Sequence, residues 1–453
     1  MSTLQDELKQ YEARTGKSRQ QHERASKVIP LGVGSNYRYY QPYPLSVAEA
    51  QGGHLRDLDG NDYVDFNLCF GALMAGHCHP AVQRAVQDRM GKGTLYGMPH
   101  ELEAELAEEL CRRFPIEMVR FGSGGADITM YSVRLARACT GRDKIIKIEG
   151  GYHGGSDTLA VSLKPPREEV GDPLSPNQIP AGRGIPAATI ANTLVVQFND
   201  LGALARAFEK HRGQIAGVIT EPILMNIGVC MPEEGYLQGI AKLCAENGAL
   251  FILDEVKTGA KLAWGGACQY FQLKPDILCL AKSIGGGLPL AAFGGRREIM
   301  QAIADGRVFH AGTYNANPLT LAAGLATLRE VLTPDIYPRL AAMNEKLLQG
   351  YNAQLQKTGL DAYLAGAGTN GALMFAKQVR NYRDWLEVDS ELWKHYWFGM
   401  VNRGVLAQPY WWDEQWSLCV AHNEADVQKH LDTFADLAPH LARAQQARRA
   451  ARA

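Results

Sequence analysis

Two residues of opposite charge, Asp254 and Lys282, each stand at the end of an apolar run of the sequence. Asp254 follows the apolar run 249–253, and Lys282 comes just after the run 277–280. In an open sheet of parallel strands the carboxyl ends of the strands form the ligand crevice, so the carboxylate and the amine would lie side by side there. Such a pair is either a buried ion pair or a site for pyridoxal phosphate. In the second case the lysine amine forms a Schiff base, and the carboxylate keeps the pyridine nitrogen protonated so that the ring withdraws electrons.

A glycine-rich loop at residues 122–126 offers a binding place for a phosphate group. It reads Gly-Ser-Gly-Gly-Ala, follows an apolar stretch at 118–121, and leads into a predicted helix. Backbone amides at the start of a helix bind phosphate well when no side chain obstructs them. A nicotinamide-dependent oxidoreductase could use the same glycines for a dinucleotide, although the full GxGxxG pattern is missing.

Two further segments offer contacts to the same cofactor. The predicted strand 144–148 runs into Glu149–Gly154, where Tyr152 stands among glycines that leave room for a planar ring beside its own. In the segment 310–318, Thr313 lies just before a helix predicted to start at Pro318. Its hydroxyl offers a second contact to a phosphate. A stacking ring and a second hydroxyl favour pyridoxal phosphate over a simple ion pair.

Helices and short apolar strands alternate between about residues 80 and 300, and these elements must position the chemistry. Helices are predicted at 81–90, 101–113, 126–139 and 235–247. Strands are predicted at 144–148, 194–198, 215–220, 249–253 and 277–280. The strands are continuous apolar runs, as expected where both faces of a sheet are covered. The alternation predicts an α/β fold with a mainly parallel sheet.

The flanking parts of the chain predict a second, smaller α+β domain. Leu4, Leu8 and Tyr11 are spaced to form one apolar face of an N-terminal helix. The segment 54–66 is typical of two strands joined by an Asp-Gly turn. Long helices are predicted at 318–332 and 336–358, with a closing helix from about 424. We therefore expect an N-terminal segment of the small domain at 1–60, a large cofactor-binding domain at 61–325, and the C-terminal small domain at 326–453.

Composition excludes several classes of protein. Of 453 residues, 46% are hydrophobic and 21% charged, and 47 basic against 48 acidic residues leave a net charge of −1. Such a balance gives no general attraction to nucleic acid or to an anionic membrane. The amino terminus has no apolar signal core, and the nine scattered cysteines form no CxxC pair. We expect a cytoplasmic protein without a metal site, in which His77-Cys78-His79 forms a structural turn.

Together these segments resemble the class III aminotransferases of fold type I pyridoxal phosphate enzymes, and most of all their glutamate-1-semialdehyde aminomutase branch. The resemblance spans about residues 25 to 435. It is carried by six segments in the family's order: VRFGSGGAD (119–127), RLARACTGRDKIIKIEGGYHG (134–154), EPILMNIG (221–228), GALFILDEVKTG (248–259), AKSIGGGLPLAAFGGR (281–296) and AGTYNANP (311–318). It implies a large domain with a mainly parallel seven-stranded sheet and a smaller α+β domain.

The resemblance also implies site residues. Lys282, Asp254 and Tyr152 would be catalytic: Lys282 as Schiff-base lysine and proton shuttle, Asp254 at the pyridine nitrogen, Tyr152 stacked on the ring. The implied cofactor-binding residues are Ser123, Gly124, Gly125, Ala126, Tyr152, His153, Glu221, Asp254, Val256, Lys282 and Thr313.

For the substrate, the resemblance implies Arg38, which would hold a carboxylate, and Asn226. Arginine suits that task through its planar, two-pronged donor geometry. Thr313 would reach the phosphate in the neighbouring subunit, so that a homodimer would be the functional unit.

Three departures from the family pattern bear on the activity. The family's Ser-Gly-Thr phosphate loop is here Gly124-Gly125-Ala126 after Ser123, and its Gly-Phe-Arg after DEVxT is here 259–261, Gly-Ala-Lys. The segment 408–416 is also bulkier than its aminomutase counterpart. These departures favour a relative that acts on a different amino acid, such as an aromatic one.

We therefore expect an aminotransferase that moves an amino group between an amino donor and a carbonyl acceptor through Lys282. The alternatives are an aminomutase of the glutamate-1-semialdehyde type or a racemase of the same fold, because both would use the same lysine and aspartate. A nicotinamide-dependent oxidoreductase and a relative without catalytic activity are the remaining readings.

Overall fold

The computed structural model describes residues 2–452, and the chain divides into two compact units. The first unit comprises the residues up to 79, 338–378 and those from 387 onwards; the second comprises 80–337 and 379–386. Residues 61–79 join the first unit because strand Asp62–Asp65 pairs with His54–Asp57. The boundaries expected at 60/61 and 325/326 stay predictions.

The second unit is built on a seven-stranded sheet. We number its strands along the chain: β1 (Met118–Gly122), β2 (Lys144–Ile148), β3 (Thr193–Val196), β4 (Ile215–Thr220), β5 (Leu250–Asp254), β6 (Ile277–Leu280) and β7 (Ala291–Gly295). Their order across the sheet is β1-β7-β6-β5-β4-β2-β3. Strand β7 is antiparallel to both its neighbours, and the remaining pairings are parallel. The predicted α/β fold with a mainly parallel seven-stranded sheet is thus confirmed.

Helices cover this sheet, and the one that follows β1 contributes most to the core beside the crevice. Its residues Ile128, Leu135 and Ala136 are fully buried in one cluster with Ile252 of β5 and Ile277 of β6. The helices of the unit are Pro80–Met90, Glu101–Arg113, Gly125–Thr140, Ala187–Ala191, Leu201–Lys210, Tyr236–Glu246, Gly266–Tyr270, Arg297–Ala304, Pro318–Ala326 with a π-helical extension Thr327–Val331, and Tyr382–Trp385. Helix starts at Pro80 and Pro318 follow the preference of proline for the first turn.

The first unit is a separate α+β body. One sheet has the strands Val47–Gln51, His54–Asp57, Asp62–Asp65 and Val405–Leu406; the other has Tyr363–Ala367, Asn370–Met374 and Trp416–Ser417. Its helices are Leu4–Arg14, Gly16–Ala25, the short Leu68–Gly71, Ile336–Thr358 (which begins at the end of the second unit), Ser390–Asn402 and Glu424–Arg452. No helix within residues 2–452 is long and apolar enough to cross a membrane.

Candidate active site

The parallel pairing of β5 with β6 brings Asp254 and Lys282 to the same edge of the sheet. Asp254, the last residue of β5, is opposite Cys279 of β6, and Lys282 begins the 3-10 turn Lys282–Gly285 just beyond that strand. Lys282 has a left-handed backbone, with φ of +53°. Non-glycine residues rarely adopt this conformation, and it is concentrated at functional sites. Both residues line one cavity of about 320 Å³.

The cavity gathers eleven of the residues predicted from the sequence. They are Ser123, Gly124, Gly125, Ala126, Tyr152, His153, Glu221, Asn226, Asp254, Val256 and Lys282. They lie at or just after the ends of five different strands, β1, β2, β4, β5 and β6, which is the usual construction of a ligand crevice in such sheets.

The glycine-rich loop forms the start of the helix Gly125–Thr140, with Gly124 as its N-cap. The first amides of a helix have no partner within the helix and point out of its end, where the helix dipole favours an anion. Space around this loop is restricted: a Cβ on Gly125 would lie 3.1 Å from a methyl of Val256. A Cβ on Gly154 would lie 2.5 Å from the Cα of Ala126, so the Tyr152 loop packs directly on the helix start.

Asp254 is held by hydrogen bonds to both its carboxylate oxygens. His153 Nδ1 lies 2.7 Å from Oδ2, and the backbone amide of Val256 donates to Oδ1 over 2.9 Å. The carboxylate is only 3% exposed. Burial, together with this carboxylate, raises the pKa of the Cys279 thiol, which therefore stays protonated beneath the site.

Glu221 organises the opposite wall of the cavity. Its Oε1 accepts a hydrogen bond from the Tyr152 amide over 3.0 Å, and its Oε2 accepts from Asn226 Nδ2 over 2.8 Å. One carboxylate thus sets the positions of a predicted ring-stacking residue and a predicted substrate contact.

Seven lining residues were not predicted: Thr129, Gly154, Lys257, Ala281, Leu288, Pro289 and Leu290. Thr129 could have been predicted from the sequence, because it lies one helical turn after Gly125 on the same side of the helix. Its Oγ1 donates a hydrogen bond to the carbonyl oxygen of His153 over 2.6 Å. Lys257 stands in the variable position of the DEVxT pattern, and its Nζ donates to the carbonyl oxygen of Met225 over 2.7 Å.

Two predicted residues lie elsewhere. Thr313 is exposed on the segment that precedes the helix Pro318–Ala326 and is not among the described residues that line this cavity. Arg38 belongs to the first unit, where it ends the 3-10 turn Asn36–Arg38 and lines a different cavity. In that unit His77 Nε2 pairs with Asp65 Oδ2 at 2.8 Å.

The residues present fit pyridoxal phosphate. The unobstructed helix start suits its phosphate, the lysine suits its aldehyde, and the buried carboxylate suits a protonated ring nitrogen. In addition, His153 Nε2 is buried without a hydrogen-bond partner among residues 2–452. Buried polar atoms are seldom left unpaired, and such an atom beside a cavity is consistent with a polar ligand.

Comparisons with known proteins agree with this construction. The family model of class III aminotransferases matches residues 36–408. Glutamate-1-semialdehyde 2,1-aminomutase of Methanosarcina acetivorans is 40% identical, with 93% of this chain and 98% of that protein covered. The resemblance stated from the sequence is confirmed.

Solved structures give the same answer for the fold. An ω-transaminase from Sphaerobacter thermophilus has a TM-score of 0.88 at 31% identity, with 94% of this chain and 98% of that chain covered. A glutamate-1-semialdehyde aminomutase variant from Pseudomonas aeruginosa in complex with PMP has a TM-score of 0.88 at 28% identity, with 97% of each chain covered. The chain therefore belongs to the class III aminotransferase family, with the type I fold and pyridoxal phosphate as its cofactor.

Proposed function

We propose that this protein is an aminomutase that moves an amino group between two carbons of one substrate, as glutamate-1-semialdehyde 2,1-aminomutase does. The observation that carries the proposal is the 40% identity to an aminomutase over 93% of the chain. This reverses the order of the two readings of the sequence, which put transfer between two substrates first.

Bound pyridoxal phosphate supplies an electron sink for the negative charge that develops on the substrate carbon. The helix start at Gly124–Ala126 and Ser123 would bind its phosphate, Val256 and Tyr152 would contact the ring, and Glu221 would face the ring hydroxyl. Asp254 would hold the proton on the ring nitrogen, and His153 would orient Asp254.

Lys282 would hold the cofactor and then move protons through its Nζ. An aminomutase needs a proton removed at one carbon and returned at its neighbour, and a single flexible amine can serve both. Arg38 would bind the substrate carboxylate; it is exposed, and its guanidinium makes no hydrogen bond or ion pair within residues 2–452. Asn226, fixed by Glu221, would contact the substrate.

We also propose a cytoplasmic homodimer. The second unit exposes large apolar side chains on two neighbouring segments: Met98 is 77% exposed, Phe309 79% and Tyr314 66%. Asn317 Nδ2 donates to the carbonyl oxygen of Thr94 over 2.9 Å and ties these segments together. Exposed apolar patches of this kind mark interaction surfaces. Thr313 lies beside Tyr314, where it could enter a partner's site.

An aminotransferase is the second candidate. It is favoured by the ω-transaminase, whose TM-score is 0.88 at 31% identity, and by Gly-Ala-Lys at 259–261 in place of the family's Gly-Phe-Arg. A transaminase needs a carbonyl acceptor, whereas a mutase completes its reaction with one substrate.

The test is to supply the cofactor-loaded protein with glutamate-1-semialdehyde and no keto acid. We expect formation of the isomer whose amino group has moved from carbon 2 to carbon 1. Because this product has the same mass as the substrate, it is identified by its chromatographic retention time. Turnover of an amino donor only after a keto acid is added would replace the aminomutase by the second candidate. No turnover in either assay, in a protein that binds the cofactor, would contradict both for these substrates.

A further inference from the structure

The segment 149–154, which we call the Tyr152 segment, is held at almost every residue by a different partner. The amide of Gly150 donates to the carbonyl oxygen of Ser162 over 3.0 Å. The carbonyl oxygen of Gly151 accepts from Lys147 Nζ over 3.0 Å, and Tyr152 and His153 are bound to Glu221 and Asp254. A segment anchored in this way presents its side chains to the cavity in one orientation.

The first residue of the segment, Glu149, is anchored from a distant part of the sequence. Arg383 makes a two-pronged ion pair with it: Nε lies 2.7 Å from Oε2 and Nη2 lies 2.9 Å from Oε1. Glu149 is completely buried, and the Arg383 side chain is 18% exposed. Burial raises the pKa of this carboxyl group, and the guanidinium acts in the opposite direction.

Arg383 also reaches the long loop that follows the Tyr152 segment. Its Nη1 donates to the carbonyl oxygen of Gly171 over 2.9 Å, and its Nη2 to that of Val170 over 2.8 Å. The guanidinium thus joins Glu149 and residues 170–171 in one rigid arrangement. Only arginine has a planar set of donors able to do this.

The neighbouring residue Tyr382 packs against the same segment. A Cβ on Gly150, whose φ is +77°, would lie 2.5 Å from the Tyr382 ring. Asn381 caps the short helix that carries both residues by accepting from the amides of Arg383 and Asp384. Although residues 379–386 are flanked in sequence by parts of the first unit, they belong to the second unit.

We propose that Arg383 is a positioning residue for the bound cofactor, because through Glu149 it fixes the Tyr152 segment and hence the side chains of Tyr152 and His153. The inference rests on the proposed role of this cavity as the cofactor site. Without Arg383, Glu149 would be a buried carboxylate that has lost both hydrogen bonds to its ion-pair partner, with only the more distant charge of Lys147 to offset its burial, which is unfavourable. The segment would then shift or open to reach water.

Arg383→Met tests the proposal, with Arg380→Met as the matched control. Arg380 lies in the same segment, and its guanidinium makes only an exposed contact to Asp384 at 3.7 Å. Two readouts are needed besides activity: the visible circular dichroism of bound pyridoxal phosphate, and hydrogen exchange of peptides covering 149–162 in the cofactor-free protein. A change in overall stability alone would leave the dichroic band nearly unchanged, and it would speed exchange throughout the chain rather than over 149–162 in particular.

For Arg383→Met we expect a reduced or inverted dichroic band, faster exchange over 149–162, and a fall in kcat of about tenfold or more. Arg380→Met should match the wild type in all three. Unchanged dichroism and exchange in a folded Arg383→Met protein would overturn the proposal, whatever its Tm.

If Arg383→Met does not fold, Arg383→Lys decides the question, because lysine keeps the charge and loses the two-pronged geometry. We expect partial changes in dichroism and exchange, and a lysine variant identical to the wild type would overturn the proposal. A wild-type protein that gains no visible band with pyridoxal phosphate would instead contradict the proposed cofactor site, so the two failures are distinguishable.

Discussion

His153 Nδ1 lies 2.7 Å from Oδ2 of Asp254, and both side chains are almost completely buried. The carboxylate accepts, so the ring nitrogen donates and carries a proton in this contact. Asp254 is thereby prevented from rotating away from the cavity that it lines. In the proposed enzyme this contact would orient the carboxylate toward the ring nitrogen of the cofactor.

Replacing His153 by leucine should reduce kcat/KM by about 10- to 100-fold, because a hydrogen bond to a charged group contributes about 1.5–3 kcal/mol. Steady-state kinetics with saturating cofactor measure the effect. His211→Gln is the control, since His211 lies at the end of the helix Leu201–Lys210 and not at the cavity. Equal kinetics of His153→Leu and wild type would show that His153 is not needed to orient Asp254.

Lys282→Ala should abolish turnover, because it removes the amine that would bind the cofactor covalently and move protons. The visible spectrum with added pyridoxal phosphate and the product assay check this. Lys274→Ala, an exposed lysine just before β6, should behave as the wild type. Substantial activity in Lys282→Ala would refute the assigned role.

Asp254→Asn preserves the shape of the side chain but removes its charge. The electron sink then loses the group that keeps the ring nitrogen protonated, so we expect a fall in kcat of about 100-fold or more. Cofactor affinity should fall less than kcat. A rate near the wild-type value would remove the assignment of Asp254.

Gly154→Ala should weaken cofactor binding and lower Tm. Gly154 has φ of +89°, and the new methyl group would lie 2.5 Å from both the Cα and the Cβ of Ala126 at the helix start. A strained backbone of this kind costs about 1–3 kcal/mol. Gly155→Ala is the matched control, because a Cβ there meets nothing within 4 Å. Titration with pyridoxal phosphate should give a lower affinity for Gly154→Ala than for Gly155→Ala. Equal affinities of the two variants would contradict the close packing of Gly154 on the helix start.

Acid should destabilise the first unit. Burial lowers the pKa of His422 to about 4 and that of His430 to about 3. Between those values and about 6.5 the unfolded chain binds protons that the folded unit does not, so the free energy of unfolding falls as pH decreases through this range. From pH 6.5 to pH 5 the two groups together account for about 3 kcal/mol.

Urea unfolding at several pH values measures this slope. His430→Gln should reduce this slope, because one of the buried histidines is gone; burial also lowers the pKa of His395 in the same unit. His211→Gln, which removes a less buried histidine whose pKa is also lowered by burial, provides the comparison. An unaltered slope in His430→Gln would show that the buried histidine does not contribute.

The local features of the candidate site could be read from the sequence. Asp254 and Lys282 were recognised because each follows a continuous apolar strand, and the glycine loop because it lies between an apolar stretch and a helical pattern. Helix Glu101–Arg113 and strands β2, β4 and β6 have the predicted limits. These patterns are local, so neighbouring residues in the chain suffice to reveal them.

Strand β7 was not predicted as a strand. Its sequence, AAFGG, has no β-branched residue and two glycines, so its propensity for a strand is low. It forms because β1 and β6 flank it and complete its hydrogen bonds. Such tertiary pairing overrides local preference.

The sequence by itself determined the alternation of strands and helices, the residue types able to bind pyridoxal phosphate, and the family of the chain. The tertiary structure alone decided which of these residues share a cavity, that Glu221 holds both Tyr152 and Asn226, and that Arg383 pairs with Glu149 across 234 positions of the chain. The physical reason is that periodicity and propensity act over a few residues, whereas the pairing of buried charges depends on which distant segments the packed sheet brings together.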